Sequence, residues 1–168
     1  VVGKIVQINI SSGGVPKRPI EEAHMTFDRV AGDDWRHKDI HGGPDRAVLM
    51  IAVETIEALQ RDGYPVFNGA LGENLTTRGI DYREIRYGDR FRIGTGVVLE
   101  VTKRRAPCRT LTVYGADIGK ALFDKEANAH DASSVKWGQA GFYCKVIAEG
   151  VVRPGDTIEW NRERVVHE

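Results

Sequence analysis

Phe91-Arg92-Ile93-Gly94-Thr95-Gly96-Val97-Val98-Leu99-Glu100-Val101-Thr102 is two apolar runs joined by three residues, two of them glycine. β-branched and aromatic residues fit a pleated surface, and a short glycine loop between such runs is the local mark of a β-hairpin. Working outward, residues 142–148 and 157–160 carry the same signature on the C-terminal side. On the N-terminal side, residues 2–10 read as a strand closed by Ser11-Ser12-Gly13-Gly14. Residues 16–19 must be extended, because Pro16 and Pro19 each disfavour helix in the residue before them. Residues 22–30 read as another short strand that offers Met25, Phe27 and Val30 to the core.

Val48 to Val53 is an unbroken apolar run, a buried strand or the entry to a helix; periodicity does not decide between them. The clearest helix covers residues 54–62, with Val53, Ile56, Leu59 and Gln60 on one face and Gly63 as a left-handed stop. Residues 71–77 are expected to be extended, and residues 110–123 helical in pieces around Gly115 and Gly119. Gly-Asp recurs just before two strands, at Gly88-Asp89 and Gly155-Asp156, which is turn chemistry too short to indicate duplication. Short strands outnumber helices and do not alternate with them. A mainly β (α+β) fold, a mostly antiparallel β-barrel with a few peripheral helices, fits better than a doubly wound sheet.

The 168 residues are expected to form a single domain, with a core over about 4–160 and a polar tail at 161–168. Apolar content of 41% and charged content of 29% are values of a folded globular chain. Lysine plus arginine equals aspartate plus glutamate at 24 each, which argues against a nucleic-acid or membrane-surface binder. A local basic pocket for one phosphorylated ligand remains compatible with that balance. There are two cysteines, and no apolar signal segment or membrane-length run, so the cytoplasm is the expected compartment.

Three constellations carry chemistry. In Lys103-Arg104-Arg105-Ala106-Pro107-Cys108-Arg109, four cations lie within five residues of one thiol. Positive neighbours stabilise the thiolate, the form that attacks electrophiles and binds soft metals. A structural cysteine beside surface arginines is the competing reading. In Leu71-Gly72-Glu73-Asn74-Leu75, Gly72 lets backbone approach a ligand and Asn74 offers both donors and acceptors to a heteroaromatic edge. An ordinary β-turn entering a strand would look the same. In His41-Gly42-Gly43-Pro44-Asp45-Arg46-Ala47, backbone N–H groups beside an arginine could cradle an anion, or form a tight surface turn. His37 and His41 are four apart, but the double glycine after them favours a loop over a helical zinc pair. Cys144 lies within a strand, where a packing role is expected. No Gly-x-Ser-x-Gly nucleophile elbow occurs.

Taken in order, these constellations resemble the MOSC domain, the module named after the C-terminal part of molybdenum cofactor sulfurases. The matching residues are His41-Gly42-Gly43 with Arg46-Ala47, Gly72-Glu73-Asn74-Leu75, Gly88-Asp89 with Ile93-Gly94, and Arg105-x-Pro107-Cys108. Gly150, Gly155 and Asp156 fit the close of the same pattern, so the likeness runs from about Lys4 to about Trp160. It is most similar to the small standalone bacterial members. The resemblance implies a closed β-barrel in which Cys108 bears sulfur or ligates molybdenum. The aminotransferase-like half of the sulfurases is missing from these residues, so pyridoxal phosphate is not expected. The electron-transfer regions of larger relatives are missing too, so electrons would come from a separate protein.

The leading expectation is a molybdenum-cofactor-binding oxidoreductase that reduces N-hydroxylated small molecules. Cys108 would ligate the metal. Arg105, Arg109, and Arg46 or Lys17 would neutralise the cofactor phosphate, and Asn74 with the Gly72 backbone would meet the pterin edge. His41, Gly42 and Gly43 join that binding set, and Asp33, Glu73 and His41 are the proton-source candidates. The alternative is a sulfur carrier holding a persulfide on Cys108, exchanging sulfur with a donor or acceptor protein. A binding barrel without chemistry is the third reading.

Overall fold

The computed structural model describes residues 1–34 and 43–162. In chain order the strands are β1 (Val2–Ile10), β2 (Arg18–Ile20), β3 (Ala23–Met25), β4 (Val48–Ala52) and β5 (Leu75–Arg78). They continue as β6 (Arg90–Ile93), β7 (Val97–Arg104), β8 (Phe142–Ala148), β9 (Gly150–Val152) and β10 (Thr157–Asn161). The α-helices are α1 (Val53–Arg61), α2 (Ile118–Leu122) and α3 (Lys125–Asn128). Seven strands close on themselves in the order β1-β10-β6-β7-β8-β4-β5, β5 pairing back to β1. Closure removes the exposed edges that an open sheet would have to protect. β2 extends the sheet from β1, and β3 with β9 forms a separate two-stranded ribbon. Every barrel pairing is antiparallel except β4–β5.

That parallel pair explains the unbroken apolar run. A parallel connection needs a crossover, and α1 supplies it, leaving β4 covered on both faces. Val48, Met50 and Ala52 point into the barrel core, while Ile51 belongs to a second apolar cluster outside it. The second cluster packs Ile51 against Ile56 and Leu59 of α1, and against Leu111, Tyr114, Ile118 and Leu122. The buried residues of α1 are Val53, Thr55, Ile56 and Leu59. Gln60 is exposed instead of sharing that face, and its amide donates to the Val66 carbonyl at 2.9 Å. Gly63 ends the helix at φ 93°, its N–H bonding the Gln60 carbonyl at 3.0 Å.

Two further expectations are corrected. Residues 22–30 are not one strand: β3 stops at Met25, and the chain turns over Thr26 to Arg29, where Thr26 N–H donates to the Arg29 carbonyl at 2.8 Å. Val30 then bridges back to Met25, and Phe27 is left 52% exposed at the turn. The 71–77 stretch becomes strand only at Leu75, because turns closed by Ala70 N–H on the Phe67 carbonyl and Gly72 N–H on the Gly69 carbonyl come first. The two Gly-Asp turns share one device. Asp89 accepts from Arg86 N–H at 2.9 Å and Asp156 from Arg153 N–H at 2.8 Å. Among the described residues no helix is long and apolar enough to cross a membrane.

Candidate functional site around Cys108

β7 and β8 pair in register from Leu99–Val146 to Val101–Cys144, then resume at Lys103–Tyr143, so Thr102 is an extra residue. A bulge of this kind bends its strand and re-aims the residues beyond it. The Thr102 hydroxyl sits between two carbonyl acceptors there, Asp45 at 2.5 Å and Tyr143 at 3.1 Å. Past the bulge Arg104 turns inward, and the chain leaves the sheet at Arg105, whose N–H bonds the Gly141 carbonyl at 3.0 Å. Cys108 follows with extended backbone, immediately before the 3-10 turn Arg109–Tyr114. Leu111 and Tyr114 anchor that turn in the outer apolar cluster. The Cys108 thiol is half-buried, with Sγ 2.9 Å from Thr110 Oγ1.

Arg105 is the unusual group. Its side chain is 5% exposed, yet Nε and Nη1 are buried with no hydrogen-bond partner among the described residues. Buried guanidinium donors left unmatched are costly, so they call for an acceptor beyond the described residues. Gly72 lies against the same guanidinium. A Cβ built on Gly72 would stand 3.8 Å from Arg105 Nη2 and 3.1 Å from Val15 Cγ1, at a backbone φ of +87°. The adjacent Glu73 is fully buried; its Oε2 accepts from Gly69 N–H at 3.0 Å and Thr76 Oγ1 at 2.9 Å, and its Oε1 has no partner among the described residues. Burial raises the Glu73 carboxyl above its ordinary range, and the Gly69 and Thr76 donors, with Arg105, pull it partway back.

Tyr143 joins the first and third constellations. The Arg46 guanidinium lies 5.9 Å from its ring centre, in cation–π range. Burial raises the Tyr143 phenol, Arg105 and Arg46 lower it, and Cys108 raises it, so all three groups act on one hydroxyl. Gly43 opens the 3-10 turn Pro44–Arg46 at φ +83°, and its carbonyl accepts from Arg46 N–H at 3.0 Å. Gly72 and Glu73 thus lie by Arg105, and Tyr143 feels Arg105, Arg46 and Cys108 together.

Other candidate residues are placed differently. Lys17 is buried and ion-paired with Asp33 at 2.6 Å, which occupies its charge within the protein. Asn74 is 3% exposed: its Oδ1 accepts from Leu49 N–H at 2.9 Å, and its Nδ2 donates to the Asn9 carbonyl at 3.2 Å and Asp33 Oδ2 at 2.8 Å. It fastens β1 to β4 and β5 and has no amide hydrogen left over. Arg109 is exposed at the start of the turn. His37, His41 and Gly42 lie outside the described residues. Cys144 is fully buried in the barrel core, and burial pushes its thiol up.

Sequence reading missed Tyr143 and Thr110. Strand alternation held a usable signal for Tyr143: with Cys144 facing inward, Tyr143 must face the other way. Thr110 carried none, because the distance from its hydroxyl to Cys108 depends on the turn geometry.

The sequence of residues 37–159 matches the family description MOSC domain. An uncharacterized protein of Bacillus subtilis, YflK, is 34% identical over 151 residues, covering 87% of this chain and 62% of that protein. Protein YiiM of Escherichia coli is 32% identical, covering 82% of this chain and 58% of that protein. The chain thus spans about three fifths of the length of these two relatives. A Gibberella moniliformis protein named reductase is 28% identical over 77% of this chain and 22% of its own length. The crystal structure of the Bacillus subtilis YUAD protein superposes with a TM-score of 0.69 at 19% identity, covering 95% of this chain and 96% of that one. A closed mixed β-barrel with a few peripheral helices is the class that the fold defines. The chain belongs to the MOSC domain family.

Proposed function

We propose that this chain binds the molybdenum cofactor, with Cys108 as the protein ligand of the metal, and reduces N-hydroxylated compounds. The observation that carries the proposal is Arg105, a buried guanidinium with two unmatched donors beside a half-buried thiol. This donor set fits the group. Arg105 offers charge-assisted bonds to a phosphate, the glycine at 72 lets the guanidinium lie close to the backbone, and a thiolate is a soft ligand for a metal. Arg46, held on Tyr143, adds a second cation. The relative named a reductase points to the same class of chemistry.

The bound cofactor would supply two-electron exchange, with electrons from a separate donor protein. The reaction consumes two electrons and two protons, breaks the N–O bond, and releases N–H product and water. Of the carboxyls considered, Glu73 is the one that burial raises above the ordinary carboxyl range, and its Oε1 has no partner among the described residues. Asp33 already serves Lys17, Ser11 N–H and Asn74, which leaves it poorly suited to proton donation.

Protein made in a cofactor-producing host should carry about one molybdenum per chain, the stoichiometry of a single soft-ligand site. Cys108→Ser should lose the metal-dependent activity, since a hydroxyl is a harder and far less acidic donor. Arg105→Ala should weaken cofactor retention by about 1.5–3 kcal/mol, the value of a hydrogen bond to a charged group. A protein that never acquires molybdenum, yet releases a cyanide-labile sulfur absent from Cys108→Ser, would replace this reading with the persulfide carrier.

A further inference from the structure

Charge is balanced over the whole chain but not after β7. Residues 103–126 hold six cations and three carboxylates, against 24 of each in the full sequence. Lys120 and Lys125 are exposed and have no ion pair among the described residues, whereas Arg78, Arg90, Arg92 and Arg153 elsewhere on the surface each hold a carboxylate. Both lysines border one hollow of about 490 Å³, together with Pro107, Phe123, Asp124 and Asn128. Phe123 is half-buried against the outer apolar cluster and, with Pro107, gives the hollow an apolar floor. The acid in this lining is spent within the chain. Asp124 caps α3 by accepting from Ala127 N–H at 2.7 Å, and both its oxygens accept from Ser134 Oγ at 2.6 Å. The hollow is also tied to the site. Pro107 is the neighbour of Cys108, and Arg104 Nη2 fastens the end of α3 to β7 by donating to the Asn128 carbonyl at 2.7 Å.

We infer that this hollow and its two lysines form the docking face for an acidic electron-donor protein. The inference rests on the proposed reduction and names the surface at which the donor of its two electrons sits. An apolar floor inside a charged rim is the anatomy of a protein interface. Unpaired rim cations steer an acidic partner in and reject a basic one. Nucleic acid would call for a much larger positive excess, and α2 and α3, at five and four residues, offer no long apolar face to a membrane. A donor seated here meets the segment that carries Cys108.

The test is the affinity of the full chain, made in a cofactor-producing host, for flavodoxin, a small acidic flavoprotein, by isothermal titration calorimetry. Affinity should fall at least about tenfold as salt rises from roughly 0.05 M to 0.5 M, because screening shortens the reach of rim charges. Lys120→Glu with Lys125→Glu should weaken binding at low salt by at least about tenfold, since like charges then face each other. Lys4→Glu with Arg83→Glu makes the same change of charge at exposed positions that do not line the hollow. It should alter affinity by less than about twofold.

No measurable binding, an affinity indifferent to salt, or equal losses in the two double variants would each overturn the inference. So would capture by phosphatidylserine vesicles, lost in Lys120→Glu with Lys125→Glu, in a protein without affinity for flavodoxin. Should that double variant fold poorly by circular dichroism, Lys120→Gln with Lys125→Gln gives the same comparison. Molybdenum content separates the face from the function it rests on. The binding pattern without metal uptake keeps a face for an acidic protein and removes electron delivery; metal uptake without the pattern keeps the cofactor reading and removes the face.

Discussion

Lys17→Met separates two roles for a cation that the sequence alone could have assigned to phosphate binding. In the structure Lys17 Nζ is 2.6 Å from Asp33 Oδ1, with the side chains 8% and 0% exposed. Asp33 also accepts from Ser11 N–H at 2.9 Å and from Asn74 Nδ2 at 2.8 Å. Removing the lysine charge leaves a carboxylate buried against two neutral donors. Breaking a buried ion pair from one side costs roughly 3–5 kcal/mol. The two remaining donors place this case at the low end, about 3 kcal/mol. With a urea dependence of about 2 kcal/mol per molar, the unfolding midpoint should fall by about 1.5 M. Lys17→Met with Asp33→Asn should regain part of that loss, because no buried charge then remains unmatched. Recovery stays partial, since one amide nitrogen of the new asparagine would face Asn74 Nδ2. A fall in midpoint below about 0.3 M, with cofactor retention impaired, would refute the structural role and return Lys17 to the phosphate.

Much of the barrel was legible because its strands announce themselves locally. The hairpin of residues 91–102 forms with Ile93 opposite Val97, as its glycine turn requires. The expected 2–10 and 142–148 strands coincide with β1 and β8, and the expected helix differs from α1 by one residue at each end. What stayed hidden depends on distant pairing. β9 is three residues long and exists through its register with β3, Ala23 opposite Val152. Phe27 shows that an apolar residue in a strand-like run can still end exposed when a Thr-capped turn intervenes. At the site, folding sets Gly72 against Arg105 and Arg46 over the Tyr143 ring. Their roles were harder to read, because a sequence displays donors and acceptors without showing which are already matched. Asn74 and Arg105 both looked like ligand contacts; folding consumes the hydrogens of the first and leaves donors of the second unmatched.

Gly69→Ala should be far more damaging than Gly88→Ala. Both have φ near +90°, but a Cβ at 69 would stand 2.3 Å from the Lys17 carbonyl, whereas one at 88 meets nothing within 4 Å. The expected losses are at least about 3 kcal/mol against about 1–2 kcal/mol, seen as thermal midpoints lowered by about 6–12 °C and 2–8 °C. Similar losses in the two variants would deny that the 69–72 turn is clamped by Lys17. The pH dependence of stability tests Glu73. Its folded-state carboxyl titrates above the ordinary value, because burial outweighs the Gly69, Thr76 and Arg105 contributions. The folded protein therefore keeps this proton longer than the unfolded chain. The resulting stability is fully present below the unfolded value and is lost as pH rises through the folded one, by about 1.4 kcal/mol for each unit between them. Glu73→Gln cannot ionise, so its stability should stay flat across that window where the wild type declines. Arg105→Met should widen the window, because the opposing positive charge is gone. Superimposable pH curves for wild type and Glu73→Gln would mean that the carboxylate is as well accommodated inside the barrel as in water. Glu73 would then have no claim to hold the proton that the proposed reduction assigns to it.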